Sequence, residues 1–163
     1  MSDRILCALA GYDAATENQL AIIQENLYAK GFVGEHTKDL PQHITLATFP
    51  ASEETRVVAL AEQAAKESAA FEITFNHIGI FGGSRVLFVA PDTNRQLLDL
   101  QARFAPSDNW TAHTTMLIDE PELIHLALPI VAGQFRAFRG RVETLYIYEF
   151  WPSRLIAKYA LQK

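Results

Sequence analysis

Cysteine is the residue that the sequence most lacks: Cys7 is the single one among 163 residues, so no disulfide can form within the chain. It lies inside the apolar run Ile5–Leu9, where we expect a small buried side chain. Long apolar runs are missing too. No segment approaches the ~20 residues that span a bilayer, and the N-terminus has no signal-peptide pattern. We therefore expect a cytoplasmic protein with no membrane partner.

Positive charge is also scarce, since 14 lysines and arginines stand against 19 aspartates and glutamates and give a net charge of −5. A protein that binds long nucleic acid through its phosphates needs a broad basic surface. This balance argues against DNA as a partner, but it is compatible with a pocket for one nucleotide or one RNA end. The length predicts a single domain over residues 1–163, built from two fused lobes, and we expect a monomer.

What the chain does contain is one short motif, twice. The pattern His-x-Thr-apolar begins at His43 (HITL) and again at His113 (HTTM), each within a predicted strand. Alternate side chains of a strand point to the same face, so His43 shares a face with Thr45, and His113 with Thr115. A single tetrapeptide arises easily by chance. Two copies, 70 residues apart, are a stronger signal.

The pattern of apolar and turn residues predicts seven strands, over about residues 4–10, 41–49, 71–81, 85–90, 110–118, 138–150 and 154–161. It predicts four helices, over about residues 13–30, 53–68, 93–104 and 121–131.

Read in order, each half of the chain contains a His-x-Thr strand, a helix, and two strands joined by a short turn. The match extends to Ser84-Arg85 and Ser153-Arg154, which follow the two motifs by 41 and 40 residues. This order predicts an internal duplication about a pseudo-twofold axis. Such an axis would bring the two histidines face to face across one cleft.

Facing histidines suit acid–base chemistry. Imidazole titrates near pH 6.5, so one ring can be neutral while the other is protonated, and the pair can act as general base and general acid together. A threonine hydroxyl can donate to a phosphate oxygen. His43 and His113 are therefore the candidate catalytic residues, and Thr45 and Thr115 the candidate phosphate-binding residues, for displacement at phosphorus without a nucleophilic side chain or a metal.

The alternative for any one histidine is a structural role, and the alternative for the pair is a zinc site. Zinc normally needs three or four ligands, and the remaining candidates are poorly placed, so we expect no metal. His36 in a loop and His125 on a helix are expected at the surface. His77, near the end of a strand, is a weaker candidate for the cleft.

The paired motifs resemble those of the 2H phosphoesterase superfamily, most nearly the branch of RNA 2′,3′-cyclic phosphodiesterases, also called 2′-5′ RNA ligases. The resemblance covers almost the whole chain. It implies an α+β, bilobal fold with two antiparallel β-sheets flanking a central cleft and helices packed outside. It also implies opening of a 2′,3′-cyclic phosphate to a 2′-phosphomonoester without metal or cofactor, and a reverse 2′-5′ ligase activity. In that scheme His43 protonates the leaving 3′ oxygen, His113 activates water, and Thr45 and Thr115 hold the phosphate oxygens.

The sequence departs from that family after the second motif. Many relatives carry a basic residue there, whereas this chain has Asp119 and Glu120. Arg85 and Arg154, at matching positions in the two halves, are candidates to supply positive charge to the substrate. Strand arginines are, however, more often solvated or ion-paired.

Several functions stay open. The leading hypothesis is a phosphodiesterase that acts on a small nucleotide or RNA terminus, either 2′,3′-cyclic or 2′,5′-linked. The others are a non-catalytic domain that binds a nucleotide or RNA end, and an amidating or acylating metalloenzyme with the histidines as ligands. Four aromatic residues near strand ends are candidates to stack on a base, and each is also typical of a core or its rim: Tyr12, Phe49, Tyr148 and Trp151.

Overall fold

The computed structural model describes residues 3–34, 39–83, 85–106 and 109–163. Within these ranges the strands are β1 (Ile5–Tyr12), β2 (His43–Pro50), β3 (Phe71–Ile80), β4 (Val86–Pro91), β5 (Thr114–Ile118), β6 (Phe138–Phe150) and β7 (Arg154–Ala160). The α-helices are α1 (Ala14–Ala29), α2 (Glu54–Glu67), α3 (Arg95–Ala102) and α4 (Pro121–Gln134). The predictions made for His36 and Ser84, and the loop expected at Ser107-Asp108 before the second motif, lie outside the described residues.

Side-chain caps explain where two of the helices begin. Asp13 accepts a hydrogen bond from the backbone N–H of Thr16 at 3.0 Å, and α1 starts directly after it. Asn94 accepts one from the N–H of Leu97 at 2.9 Å, so α3 starts at Arg95 rather than near residue 93. None of the described helices has the length and apolar character needed to cross a membrane.

Two strand boundaries differ from the prediction. β1 continues through Gly11, which pairs with both β2 and β6, so the predicted break there is wrong. β5 begins at Thr114 rather than near residue 110, because its ladder with β4 ends at the pair Val89–Thr114. His113 therefore lies immediately before β5 instead of within it.

The described strands form one seven-stranded sheet, with the order β2-β1-β6-β3-β4-β5 and β7 paired to β6 beside that path. All of its ladders are antiparallel. The α+β class is confirmed. The two predicted sheets are joined into one because β6 is 13 residues long: residues 142–150 pair with β1, and residues 138–142 pair with β3. The two lobes, the single domain and the duplication stay predictions.

The sheet is buried on both faces at β1, as its continuous apolar run predicted. The helices pack on one face to form the main core, whose fully buried side chains include Leu6, Leu20, Ile44, Val57, Leu97, Met116 and Ile147. The opposite face carries a smaller cluster of Cys7, Leu9 and Phe150, with Leu40, Tyr146 and Tyr148 packed against it. Two residues of this second cluster, Leu40 and Phe150, also line the candidate site.

Candidate active site

β2 and β5 stand at opposite ends of the sheet order, yet they lie side by side. The Thr114 hydroxyl donates to the backbone carbonyl of His43 at 3.0 Å, and the Trp110 indole N–H donates to the carbonyl of Thr45 at 3.0 Å. No ladder joins the two strands among the described residues. Side-chain donors therefore satisfy carbonyl groups that a strand edge otherwise leaves unpaired.

Buried glutamines extend this link to the helices. Gln101 of α3 donates to the Leu46 carbonyl at 3.2 Å, and Gln24 of α1 donates to the Met116 carbonyl at 3.1 Å. The amide of Gln42 donates in turn to Gln24 at 2.7 Å. Each bond satisfies a group whose burial without a partner would cost about 1–3 kcal/mol. The helices thus hold β2 and β5 at a fixed separation.

Sequence reasoning missed these positioning residues. A signal was present for Gln24, which falls on the apolar stripe of α1 beside Ile23 and Leu27. A polar residue in such a stripe must find a hydrogen-bond partner in the core. The partner itself could not be read from the sequence, because it lies 92 residues away.

Each of the two motif histidines is oriented by a hydrogen bond to the backbone carbonyl two residues before it. The Nδ1 atom of His43 lies 2.7 Å from the carbonyl oxygen of Pro41, and the Nδ1 atom of His113 lies 2.9 Å from that of Thr111. A carbonyl can only accept, so each Nδ1 carries the proton. In the neutral ring the proton is then absent from Nε2, which leaves that atom as the one to exchange protons with a ligand.

Burial also lowers the pKa of both rings. Desolvation is the main cause for His43, whose pKa lies below the ordinary 6.5; the Pro41 carbonyl opposes the shift and the charge of His113 adds to it. Desolvation likewise lowers the pKa of His113 against the opposing Thr111 carbonyl. Both imidazoles therefore favour the neutral form more than a free histidine does. That they face each other across a small gap stays a prediction.

A cavity of about 160 Å³ opens between the two motifs. Its polar wall brings together His43, Thr45, Thr114 and Thr115, and its remaining lining is Gln24, Leu40, Pro41, Gln42, Ile118, Phe150 and Trp151. His113 does not line this cavity. Its ring lies against Phe81 at 4.7 Å and Phe88 at 5.3 Å between ring centres. Three of the four predicted motif side chains therefore share one cavity, and the fourth, His113, packs against Phe81 and Phe88.

The two candidate arginines lie outside this cavity lining. Arg85 pairs with Glu120 at 2.9 Å and also donates to the Asp119 carbonyl at 3.2 Å. The other, Arg154, pairs with Glu149 at 2.9 Å and with Glu54 at 2.8 Å. Both guanidinium groups are thus ion-paired with carboxylates of the protein itself.

The remaining candidates are distributed away from the cavity. His125 is exposed on α4, and exposed His77 lies 3.6 Å from Asp92. Cys7 is buried, which raises the pKa of its thiol to about 11 and leaves it a core residue. Among the residues that the structure describes, no group of three or more histidine, cysteine, aspartate or glutamate side chains could hold a metal ion.

With the fold and cavity in place, the chain can be assigned to a family. The family model of the 2′-5′ RNA ligase superfamily matches residues 17–150, and the protein belongs to that superfamily, within the 2H phosphoesterases. The relationship inferred from the two His-x-Thr motifs is therefore confirmed. Membership supports an enzymatic activity of the phosphoesterase or RNA-ligase type. A search of curated protein sequences finds no match.

Solved structures share the fold. E. coli LigT complexed with 3′-AMP superposes with a TM-score of 0.67 at 19% identity, over 99% of this chain and 100% of that chain. TT0787 of Thermus thermophilus gives a TM-score of 0.67 at 15% identity, over 97% of this chain and 98% of that one. At such identities the likeness concerns the architecture.

Proposed function

We propose that the protein is a metal-independent phosphodiesterase that opens a 2′,3′-cyclic phosphate, on a small nucleotide or an RNA end, to a 2′-phosphomonoester. The observation that carries this proposal is the single cavity lined by His43, Thr45 and Thr115, which come from two motifs far apart in the sequence. Crystals of E. coli LigT with 3′-AMP and with ATP further support a nucleotide as the ligand.

The reaction follows from the hydrogen-bonding capacity of these groups. Nε2 of neutral His113 takes a proton from water, whose oxygen attacks phosphorus. The bond from phosphorus to the 3′ oxygen breaks, and protonated His43 delivers its Nε2 proton to that oxygen. Thr45 and Thr115 donate to the non-bridging oxygens as negative charge builds on them. His113 gains one proton and His43 loses one, so the total charge of the pair is unchanged, and proton exchange with solvent restores the starting state of each ring.

The test is incubation of the purified protein with a nucleoside 2′,3′-cyclic phosphate in excess chelator, with separation of the 2′- and 3′-monophosphates. We expect the 2′-monophosphate. His43→Ala and His113→Ala should each lower kcat by about 10²–10⁴-fold, the usual contribution of a positioned acid or base. His125→Ala, an exposed histidine on α4, is the matched control and should leave the rate unchanged.

Full activity in either motif variant would overturn the assignment of roles. Nucleotide binding without turnover by the wild-type protein would identify a binding domain instead. A panel of 2′,3′-cyclic and 2′,5′-linked substrates separates the two phosphodiester classes, because the same acid–base pair can serve both.

A further inference from the structure

A row of aromatic rings runs along the face of β6 that looks toward the cavity. Tyr146, Tyr148 and Phe150 alternate along the strand, so their side chains share a face. Successive ring centres are 6.0 Å apart in both steps, and the Trp151 ring follows 4.7 Å from that of Phe150. We refer to these four residues as the aromatic strip.

The strip is continuous with the candidate active site. Phe150 and Trp151 line the same cavity as His43. At its other end, Leu9 of β1 pairs with Thr45 on one side and with Tyr146 on the other, so the strip begins one strand away from the first motif. A ligand held in the cavity therefore has aromatic surface directly beside it.

Glycine makes room for this arrangement. Gly11 pairs with His43 in the ladder between β1 and β2, and the Tyr146 ring occupies the space that a side chain at Gly11 would need, with its Cδ2 atom 3.1 Å from the position of a Cβ. One edge of the Tyr146 ring therefore lies against Gly11, the residue that pairs with the motif histidine. A larger residue at position 11 would push it away.

The strip is only partly covered by the protein. Tyr146 and Tyr148 are half-buried, Trp151 is 43% exposed, and Leu155, the partner of Tyr148 on β7, is 49% exposed. Lys158 pairs with Tyr146, and its Nζ atom lies 5.6 Å from the centre of that ring. Phe150, between Tyr148 and Trp151, is buried. The other three rings are half-exposed, and such rings with an adjacent cation suit unpaired nucleotides, whose bases stack while their phosphates meet the cation.

Resting on the function proposed above, we propose that the aromatic strip binds the unpaired nucleotides that precede the cyclic phosphate of a single-stranded RNA. A 2′,3′-cyclic phosphate ends the strand, so the preceding nucleotides must leave the cavity on its 5′ side. Their bases stack on Trp151 and Tyr148, and Lys158 lies beside a backbone phosphate. The net charge of −5 restricts this binding to a few nucleotides. The substrate is then a short RNA end in preference to a mononucleotide.

The experiment measures kcat/KM for adenosine 2′,3′-cyclic phosphate and for oligoadenylates of two, three and four nucleotides that end in the same group. We expect each of the first added nucleotides to raise kcat/KM by roughly five- to a hundredfold, which is the value of one stacked base. In Tyr148→Ala and in Trp151→Ala the ratio between the longest and shortest substrate should fall toward one. Tyr148→Phe keeps the ring and should keep the ratio.

Leu126→Ala, which removes an exposed leucine on α4, is the control and should retain the full ratio. Lys158→Gln should reduce the salt dependence for the longer substrates. Equal kcat/KM for all lengths in the wild-type protein, or a gain that both ring variants retain, would overturn the proposal.

A wild-type protein that turns over none of these substrates would contradict the proposed function. In that case the aromatic strip is tested by measuring the affinity for oligoadenylate 2′-phosphates of different lengths. The affinity should still increase with length in the wild-type protein, and Tyr148→Ala should abolish this increase. Length-independent affinity would then refute the strip.

Discussion

The hydroxyl of Thr114 donates to the backbone carbonyl of His43 at 3.0 Å. The same hydroxyl lies 2.6 Å from the phenol of Tyr12. Because Thr114 has its one proton on the carbonyl, Tyr12 must be the donor to it. Burial raises the pKa of Tyr12 above its ordinary value, which keeps the phenol protonated. The residue between the histidine and the threonine of the second motif thus ties that motif to the first one.

Removing this link should loosen the site. Thr114→Val keeps the side-chain shape but leaves the Tyr12 phenol and the His43 carbonyl buried without their partner, which costs about 1–3 kcal/mol of stability. We expect kcat to fall more than KM changes, because the Thr114 hydroxyl is hydrogen-bonded to Tyr12 and His43 and its loss mainly disturbs the spacing of the motifs. Urea unfolding and steady-state kinetics on a cyclic nucleotide measure both effects. Thr114→Ser retains the hydroxyl and should restore kcat; if it fails to, the hydrogen bond is not the cause.

The pH dependence follows from the lowered pKa values of His43 and His113. In the proposed mechanism the productive free enzyme carries one proton on the pair. Since both values lie below 6.5, that form is lost by deprotonation as the pH rises toward neutrality, and kcat/KM should fall about tenfold per pH unit once the upper pKa is passed. A profile from pH 4.5 to 8.5 tests this. An optimum above pH 7 would contradict it.

Gly79 of β3 should be intolerant of a side chain. A Cβ there would overlap the ring of Phe88, its neighbour on β4, and that ring packs against His113. Gly79→Ala should destabilise the protein by about 1–3 kcal/mol through overpacking. It should also lower kcat/KM by on the order of tenfold, since even ~1 Å of misplacement of a reacting group is costly.

The matched variant for this test is Gly133→Ala on α4. Apart from its chain neighbours and the backbone of its own helix, no described atom lies within 4 Å of the added methyl group, and alanine is the better helix former. We therefore expect equal or higher stability and unchanged kinetics. Similar behaviour of the two variants would refute the packing explanation for Gly79.

Replacing the two candidate arginines should have different effects on stability, whereas neither replacement should affect KM. Arg85→Ala removes a surface ion pair with Glu120 and should change stability little. Arg154→Ala removes a partner of the buried Glu149 carboxylate and should lower the unfolding midpoint clearly. Neither should raise KM, because both guanidinium groups are already paired with carboxylates. A raised KM in either variant would restore that arginine as a substrate-binding residue.

The sequence predicted those parts of the site that depend on local alternation. His43 and Thr45 share a face because a strand alternates, and both reach one cavity. The contacts that bring β2 and β5 together could not be predicted, because they join side chains such as Gln24 and Thr114 to carbonyls on distant elements. Spacing alone likewise does not reveal that Arg85 meets Glu120.

For the fold as well, local features could be predicted from the sequence and contacts between distant elements could not. Element types followed from periodicity, and the resemblance to the 2H phosphoesterases implied two sheets. That β6 would extend into both parts depends on which neighbours its two ends find, and this is decided only when the chain is packed. The start of β5 after His113 has the same origin, since it is set by the register with β4.

The shared strand β6 has a consequence for how a substrate enters. A strand that is hydrogen-bonded along both edges is a poor hinge, because bending it breaks ladder bonds. β6 pairs with β1 on one side and with β3 and β7 on the other. We therefore expect the two ends of the sheet to stay together when a ligand binds, since the ladders of β1 and β3 on β6 meet at Val142. Access to the cavity would then depend on the side chains that line it, among them Leu40 and Trp151.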